Sequence, residues 1–194
     1  MYKTNEKIWR ILTSKPFFTA AEARKAGIPT SRLSYYVKTQ QIERIRRGVY
    51  RGTKAQLHVD LQWEDLVLTI QSSPNGVVCL LSALALYDLT EEMLRTHWIA
   101  IPHATTAPKR KNTRFIRMRD MDTGKTRLKI GKEIIAIFDQ ERTIVDAFRY
   151  LSKEIAIKAL KRAAQSGKLD LKKLQKYAQK FKINLGPYIL TVTT

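Results

Sequence analysis

Side chains that can bind an anionic ligand are concentrated between residues 30 and 51 of this 194-residue chain. Ser31, Tyr35 and Lys38 recur at helical spacing, and Arg32 lies beside them. Hydroxyl, ammonium and guanidinium groups donate hydrogen bonds to phosphate oxygens and to the edges of bases. The predicted chemistry is therefore recognition of double-stranded DNA. The residues predicted to take part are Thr30, Ser31, Arg32, Tyr35, Lys38, Arg44, Arg46, Arg47 and Arg51.

Two short helices are predicted to position these side chains. Thr19 and Glu22 have the spacing of a capping box, which predicts that a helix begins there. Gly27 is placed to end that helix in a left-handed conformation, and Pro29 prevents the helix from continuing. Thr30 is predicted to be the N-cap of a second helix. The residues expected to pack this second helix against the core are Leu33, Tyr36, Val37 and Gln40.

A β-hairpin is predicted after the second helix. Residues 41–45 and 49–51 flank Arg46-Arg47-Gly48, where a tight turn needs a glycine and would carry arginines at its tip. An apolar stripe predicts a further helix over residues 5–14, which completes a three-helix core. Three helices followed by a hairpin are typical of a winged helix-turn-helix, which inserts its second motif helix into the major groove. The same arrangement can also serve as a protein-docking module.

The charge of the chain supports an anionic partner and divides the sequence into three parts. The net charge is +19 and the pI is near 10.2. Residues 1–54 carry +10, residues 55–108 carry −5, and residues 109–194 carry +14. A field of this sign attracts the phosphate backbone of nucleic acids. The change of sign predicts two domains, a winged helix-turn-helix at 1–54 and a mixed α/β domain at 55–194.

The second domain is predicted to combine a mixed sheet with helices, so the expected fold class is α+β. The apolar pattern predicts a helix over 61–71 and a nearly buried helix over 77–89. No apolar run is long enough to span a bilayer and the N-terminus lacks an apolar signal core, so we expect a cytoplasmic protein that does not bind membranes. The further predicted strands are 98–101, 115–119, 126–130 and 134–138, and the further predicted helices are 141–151, 153–165 and 170–181.

A second basic surface is predicted around the strand at 115–119. Lys109, Arg110 and Lys111 precede this strand, and Arg117 and Arg119 alternate along it. The surface could bind nucleic acid or a protein partner. Charges that protect a solvated edge strand from unwanted pairing explain the same residues equally well.

The acidic residues give little support for catalysis. Asp120, Asp122 and Glu133 lie on or beside predicted strands and could gather a divalent ion for a nuclease, but the Glu-x-Lys spacing of a common nuclease core is missing. The single cysteine, Cys79, excludes an intramolecular disulfide and a multi-cysteine zinc site. We therefore expect no enzymatic activity, no cofactor and no bound metal.

Three polar residues of the predicted helix at 141–151 allow two interpretations. Arg142, Thr143 and Asp146 are close enough along a helix to form a functional cluster. A threonine cap and an Asp–Arg ion pair explain the same residues without any chemistry, and this structural interpretation is favoured.

Four segments of the chain resemble AbiEi-type antitoxins, the antitoxin half of bacterial abortive-infection, type IV toxin-antitoxin pairs. The segments are AAEARKAGIPTSRLSYYV (20–37), IERIRRGVYR (42–51), LSALALYDL (81–89) and ERTIVD (141–146). The first is shared by many regulators, so the specificity of the resemblance lies in the combination.

This resemblance implies a role in phage defence. The protein would repress its own operon at repeated promoter sites and would counteract a nucleotidyltransferase-like toxin encoded beside it. Antitoxins of this type need not form a stable complex with the toxin, so direct contact is not implied. A stand-alone winged-helix regulator with a C-terminal effector or dimerisation domain is one alternative, and an RNA-processing nuclease is another. The identity of the neighbouring gene distinguishes the antitoxin from the stand-alone regulator.

Overall fold

The computed structural model describes residues 6–15, 17–53, 55, 57–73 and 75–193 of the chain. These residues form helices and two β-sheets, which confirms the mixed α+β character expected from the sequence. The chain divides into two compact units, Met1–Ser72 with Gly131–Glu133, and Ser73–Ile130 with Ile134–Thr194. In the described ranges, no helix has the length and apolar content needed to cross a membrane.

The N-terminal unit places its helices around a small antiparallel sheet. The strands have the order β1-β3-β2, and Phe18 pairs with Tyr50 across the centre. The last helix, α4, belongs to this unit, where Arg51 Nη1 contacts Glu64 Oε1 at 3.0 Å. The predicted boundary between a DNA-binding domain at 1–54 and a second domain at 55–194 stays a prediction. The elements are α1 Glu6–Ser14, β1 Phe18–Thr19, α2 Ala20–Lys25, α3 Thr30–Lys38, β2 Ile42–Arg46, β3 Val49–Gly52 and α4 Leu61–Gln71.

Local capping signals explain where α2 begins and ends. The Glu22 amide donates to Thr19 Oγ1 at 3.1 Å, and the Thr19 amide donates to Glu22 Oε2 at 2.8 Å, so the predicted capping box is confirmed. Gly27 has φ of +78°, the left-handed conformation predicted for it. Thr30 is not the N-cap of α3, because Pro29 occupies that position and no side chain caps the helix.

One apolar core holds the three N-terminal helices against the sheet. Trp9 is partly buried and its ring stacks on Tyr36 with centroids 4.2 Å apart. The prediction that Gln40 packs against the core is wrong, because α3 ends before it and Gln40 is exposed in the following turn. The buried core residues are Leu12, Phe18, Ala23, Ile28, Leu33, Tyr36, Ile42 and Tyr50.

Thr19→Ala should lower the free energy of unfolding by about 1 kcal/mol, because it removes the hydroxyl that caps α2. The hydrogen bond from the Thr19 amide lowers the pKa of Glu22, so the stability contributed by this carboxylate is present above its ordinary pKa. That contribution is lost as the pH falls through the lowered value. Urea denaturation at pH 7 measures the effect of Thr19→Ala, with Thr106→Ala, at an exposed loop position, as the control. An unchanged midpoint for Thr19→Ala would show that the cap does not contribute to stability.

The C-terminal unit is built on a five-stranded sheet of order β6-β5-β4-β8-β7. β4 pairs antiparallel with β5 and parallel with β8, and β5 pairs parallel with β6. The strands are β4 Val77–Val78, β5 His97–Pro102, β6 Thr113–Met118, β7 Lys125–Ile130 and β8 Glu133–Phe138, whose first residue falls in the N-terminal unit. The helices are α5 Leu80–Leu86, α6 Gln140–Tyr150, α7 Lys153–Gln165, α8 Leu171–Lys180 and α9 Gly186–Thr193.

The predicted helix at 77–89 is wrong at its beginning. Val77 and Val78 form a strand that lies between two others in the sheet, and the helix covers only Leu80–Leu86. A continuous apolar run suits a buried strand and a buried helix equally well, so the pattern could not separate them. The other helices and strands of this unit lie within a few residues of their predictions, and α9 was not predicted.

Candidate nucleic-acid interface

The third helix, α3, has one buried face and one exposed face. Leu33 is fully buried and Tyr36 is 7% exposed, so these side chains fix the orientation of the helix. Tyr35 is 58% exposed, and Ser31 and Lys38 are exposed with it, as predicted. The spacing i, i+4, i+7 puts these three on one side of the helix. The exposed face therefore offers a hydroxyl, a phenol and an ammonium group.

The same face includes a residue that the sequence reasoning missed. Ser34 is exposed and lies three residues after Ser31 and four before Lys38. The helical spacing used for the other residues would have identified it. Ser31, Ser34, Tyr35 and Lys38 are referred to below as the α3 face.

Thr30 and Arg32, the other two residues of this helix that were predicted to bind DNA, do not belong to the α3 face. Thr30 is exposed at the first helical position. Arg32 is half-buried, and its guanidinium carbon lies 6.0 Å from the centre of the Tyr36 ring. Arg32 is therefore at the margin of the α3 face, packed against the residue that anchors the helix.

The β2–β3 hairpin follows α3 and places Arg47 at its turn. Arg47 is exposed, and Gly48 beside it has φ of +77°, a conformation that favours glycine. Arg44 is exposed on β2. Arg46 is the last residue of β2 rather than part of the turn, and its side chain lies outside the described part of the chain. Of the two arginines predicted at the hairpin tip, Arg47 lies in the turn and Arg46 lies in β2.

Arg51 has local ion-pair partners. Its Nε contacts Glu43 Oε2 at 3.2 Å and its Nη1 contacts Glu64 Oε1 at 3.0 Å. Glu43 is the cross-strand partner of Arg51 in the hairpin register, so the first pair follows from that register. Glu64 comes from α4, which sequence spacing could not place. A phosphate contact by Arg51 would have to compete with both carboxylates.

The residues of the predicted second basic surface gather around β6 in the C-terminal unit. Lys109, Lys111, Arg117 and Arg119 are exposed, and Arg110 is half-buried. Arg114, which was not predicted, lies with its guanidinium carbon 4.3 Å from the centre of the Trp98 ring. β6 is the last strand at one side of the sheet.

Arg142, Thr143 and Asp146 are buried in α6, where Arg142 bonds to Asp146 and Thr143 bonds to the backbone. Arg142 Nε donates to Asp146 Oδ2 at 2.8 Å, and Thr143 Oγ1 donates to the Phe138 carbonyl at 3.2 Å. Their exposures of 1%, 1% and 0% leave no surface for a ligand. This geometry supports the structural interpretation of the three residues.

The acidic residues considered for a nuclease also have structural partners. Burial alone would raise the pKa of Asp120, but hydrogen bonds from Lys180 and Thr123 hold that pKa well below its ordinary value. Glu133 Oε2 accepts from Gln71 Nε2 at 2.7 Å. Across the described ranges, no three His, Cys, Asp or Glu side chains form a group able to hold a metal ion.

Comparison with protein families gives a match in the N-terminal region of the chain. Residues 10–51 match the sequence profile of a family described as "Transcriptional regulator, AbiEi antitoxin", which confirms the resemblance to AbiEi-type antitoxins in the N-terminal region. No curated protein matches the chain.

A solved structure is similar to nearly the whole chain. It is the crystal structure of RV2827C protein from Mycobacterium tuberculosis, with a TM-score of 0.56 and 11% sequence identity. The similarity covers 92% of this chain and 73% of the other. At this identity the comparison shows a shared fold and nothing further.

Proposed function

We propose that the protein is a DNA-binding transcriptional regulator and antitoxin of the AbiEi type. Its N-terminal unit would act as a winged helix-turn-helix that inserts α3 into the major groove. The observation that carries this proposal is the α3 face, which is exposed beside an arginine-bearing hairpin and lies within the region that matches the family profile.

The two parts of this surface suit different contacts with DNA. Buried Leu33 and Tyr36 hold α3 rigidly, so its opposite face can meet base edges with little loss of conformational entropy. The phenol of Tyr35 and the ammonium of Lys38 can donate hydrogen bonds to bases or phosphates. Arg47, at the hairpin turn, would contact phosphates or an adjacent minor groove. The charge of +10 over residues 1–54 would attract the DNA backbone.

The antitoxin role rests on the family description. The regulator would bind repeated sites in the promoter of its own operon and repress it, and the second domain would counteract a nucleotidyltransferase-like toxin encoded next to it. Co-expression of the adjacent toxin gene with the full-length Tyr35→Ala/Arg47→Ala variant, each from an inducible promoter, separates the two activities. Loss of growth rescue in this variant, at an unchanged protein level, would contradict the assignment of neutralisation to the second domain.

Tyr35→Ala and Arg47→Ala should weaken DNA binding in different ways. Tyr35→Ala should lower affinity for the promoter by about 1–3 kcal/mol and change affinity for scrambled DNA little, because it removes a side chain that reads bases. Arg47→Ala should weaken binding to both DNAs and reduce the salt slope by about one unit, because one phosphate contact is lost. Fluorescence anisotropy between about 50 and 200 mM salt measures both effects.

Lys153→Ala, at an exposed position in the C-terminal unit, is the control and should bind both DNAs like the parent protein. Promoter affinity unchanged in Tyr35→Ala, together with a salt slope unchanged in Arg47→Ala, would refute the proposed interface.

A further inference from the structure

One edge of the five-stranded sheet is available for pairing with another strand. β6 pairs with β5 through its inward backbone groups, as shown by the bonds from the His97 amide to the Asn112 carbonyl and from the His103 amide to the Met118 carbonyl. In a parallel pair the backbone groups of alternate residues point to the same side. The amides and carbonyls of residues 113, 115 and 117 therefore point away from β5.

These outward groups lack a partner in the described part of the chain. β6 is terminal in the strand order, and no backbone hydrogen bond joins Thr113, Phe115 or Arg117 to another segment there. The strand is six residues long and has outward amides at three alternate positions, 113, 115 and 117. Such an edge can accept an added strand, which is a recurrent mode of peptide recognition.

The charge around this edge is uniformly positive. Residues 109–119 contain six Lys and Arg and no Asp or Glu. Lys109, Lys111, Arg117 and Arg119 are exposed, and in the described ranges none of them forms an ion pair. Four other cations of this unit, Arg142, Arg149, Lys173 and Lys180, contact carboxylates within 4.0 Å. Among the described residues, Lys109, Lys111, Arg117 and Arg119 form an unpaired basic group on and next to β6.

The positive charge around β6 favours pairing with some strands and opposes pairing with others. A second copy of the chain would bring the arginines of two β6 strands together, and like charges on neighbouring strands are unfavourable. An acidic strand would meet Arg117 and Arg119 with opposite charge. The same cations that prevent self-association therefore select an acidic partner.

We propose that β6 is a docking edge for an acidic, extended segment of a partner protein. The segment would add as a sixth strand, with its backbone bonded to residues 113, 115 and 117 and its carboxylates beside Arg117 and Arg119. Backbone pairing would give affinity, and the arginines would select the sequence. The residues of this edge all lie in the C-terminal unit, whereas the α3 face lies in the N-terminal unit.

The full-length protein and a synthetic ten-residue peptide of alternating Glu and Val test this proposal. Fluorescence anisotropy should show binding of this peptide, weaker binding at higher salt, and no binding of a matched peptide of alternating Lys and Val. Absence of binding by the Glu-Val peptide at low salt would overturn the proposal.

Two substitutions at one position separate backbone pairing from charge. Arg117→Ala removes the charge and keeps the outward amide, so it should weaken peptide binding by about two- to fivefold. Arg117→Pro also removes that amide and should weaken binding by about a further five- to tenfold. Proline is tolerated on an edge strand where the amide faces away from the sheet, so the fold should persist. An unchanged circular dichroism spectrum and an unchanged midpoint of urea unfolding check the fold of both variants.

Three other outcomes would contradict strand addition or would assign the β6 surface to a different ligand. Equal affinities of Arg117→Ala and Arg117→Pro would show that charge alone binds the peptide, which contradicts strand addition. Tighter binding of a single-stranded RNA oligonucleotide than of the Glu-Val peptide, lost equally in both variants, would assign the surface to RNA. Dimerisation of the parent protein that Arg117→Pro abolishes would assign the edge to a second copy.

Discussion

Replacing Arg142 with methionine is expected to lower the free energy of unfolding by about 3–5 kcal/mol, because it leaves a buried carboxylate without its main partner. Arg142 Nε bonds to Asp146 at 2.8 Å, and the side chains of both residues are 1% exposed. Methionine fills much of the space of the arginine side chain. The expected decrease in the free energy of unfolding therefore comes mainly from the lost charge and not from a cavity. Urea denaturation followed by circular dichroism measures the change.

Arg142 also satisfies backbone groups that no apolar side chain can replace. Its Nη1 donates to the Thr123 carbonyl at 3.0 Å and its Nη2 to the Asp120 carbonyl at 3.2 Å. Its guanidinium carbon lies 4.0 Å from the centre of the Phe181 ring. The side chain therefore ties the 120–123 turn and the end of α8 to α6. Its removal should loosen all three segments.

The pH dependence of the Arg142→Met variant provides an independent check. Burial raises the pKa of Asp146 above its ordinary value of 3.8, although Arg142 and Arg149 oppose this effect. A raised carboxyl pKa makes the folded state less stable as the pH rises through the interval between the unfolded and folded values. Without Arg142 that interval widens, so the variant should lose more stability at pH 8 than at pH 5.

A double substitution and a surface control complete this experiment. Arg142→Met/Asp146→Leu should be more stable than Arg142→Met alone, because it removes the buried carboxylate, and half-buried Arg149, which loses its contact with Asp146, can reach solvent. Arg162→Ala, which breaks the contact with exposed Glu91, should change stability by less than about 0.5 kcal/mol. A loss below about 1 kcal/mol for Arg142→Met would mean that the ion pair is not important for stability.

Gly52→Ala is expected to lower the free energy of unfolding by about 2–3 kcal/mol, because the added methyl group overpacks the N-terminal unit. A β-carbon at this position would overlap the carbonyl oxygen of Thr13 and lie 2.8 Å from its carbonyl carbon. Both contacts are with the backbone of α1, which cannot move aside by changing a rotamer. α1 would have to shift away from β3, and promoter affinity should fall with the stability of the unit.

Gly27→Ala is the matched control for this substitution. A β-carbon added at Gly27 would meet no atom of the described residues within 4 Å, so alanine there experiences only the strain of a left-handed backbone. That strain costs about 1–2 kcal/mol. Thermal unfolding compares the two variants, and amide hydrogen exchange in α1 should accelerate only in Gly52→Ala. Equal losses without faster exchange in α1 would contradict the clash with Thr13.

The sequence by itself determined the helices and the hairpin of the N-terminal unit, but not β1, and most helices and strands of the rest. Thr19 with Glu22 marked the beginning of α2, and Gly27 with Pro29 marked the turn before α3. The spacing of Leu33 and Tyr36 identified which face of α3 is buried. These signals act between residues close in the chain, so they can be read without the fold. The exposure of Ser31, Tyr35 and Lys38 followed from the same spacing.

Only the tertiary structure decided features that depend on distant segments. Val77 and Val78 became a strand because β5 and β8 pair with them on both sides, whereas their apolar pattern also suited a helix. Arg51 gained an ion pair with Glu64 of α4, a partner that no local spacing indicated. Arg142 joined carbonyls about twenty residues away, and β6 was left at a sheet edge. Strand order and long-range polar contacts depend on how the chain folds back on itself, which no local spacing encodes.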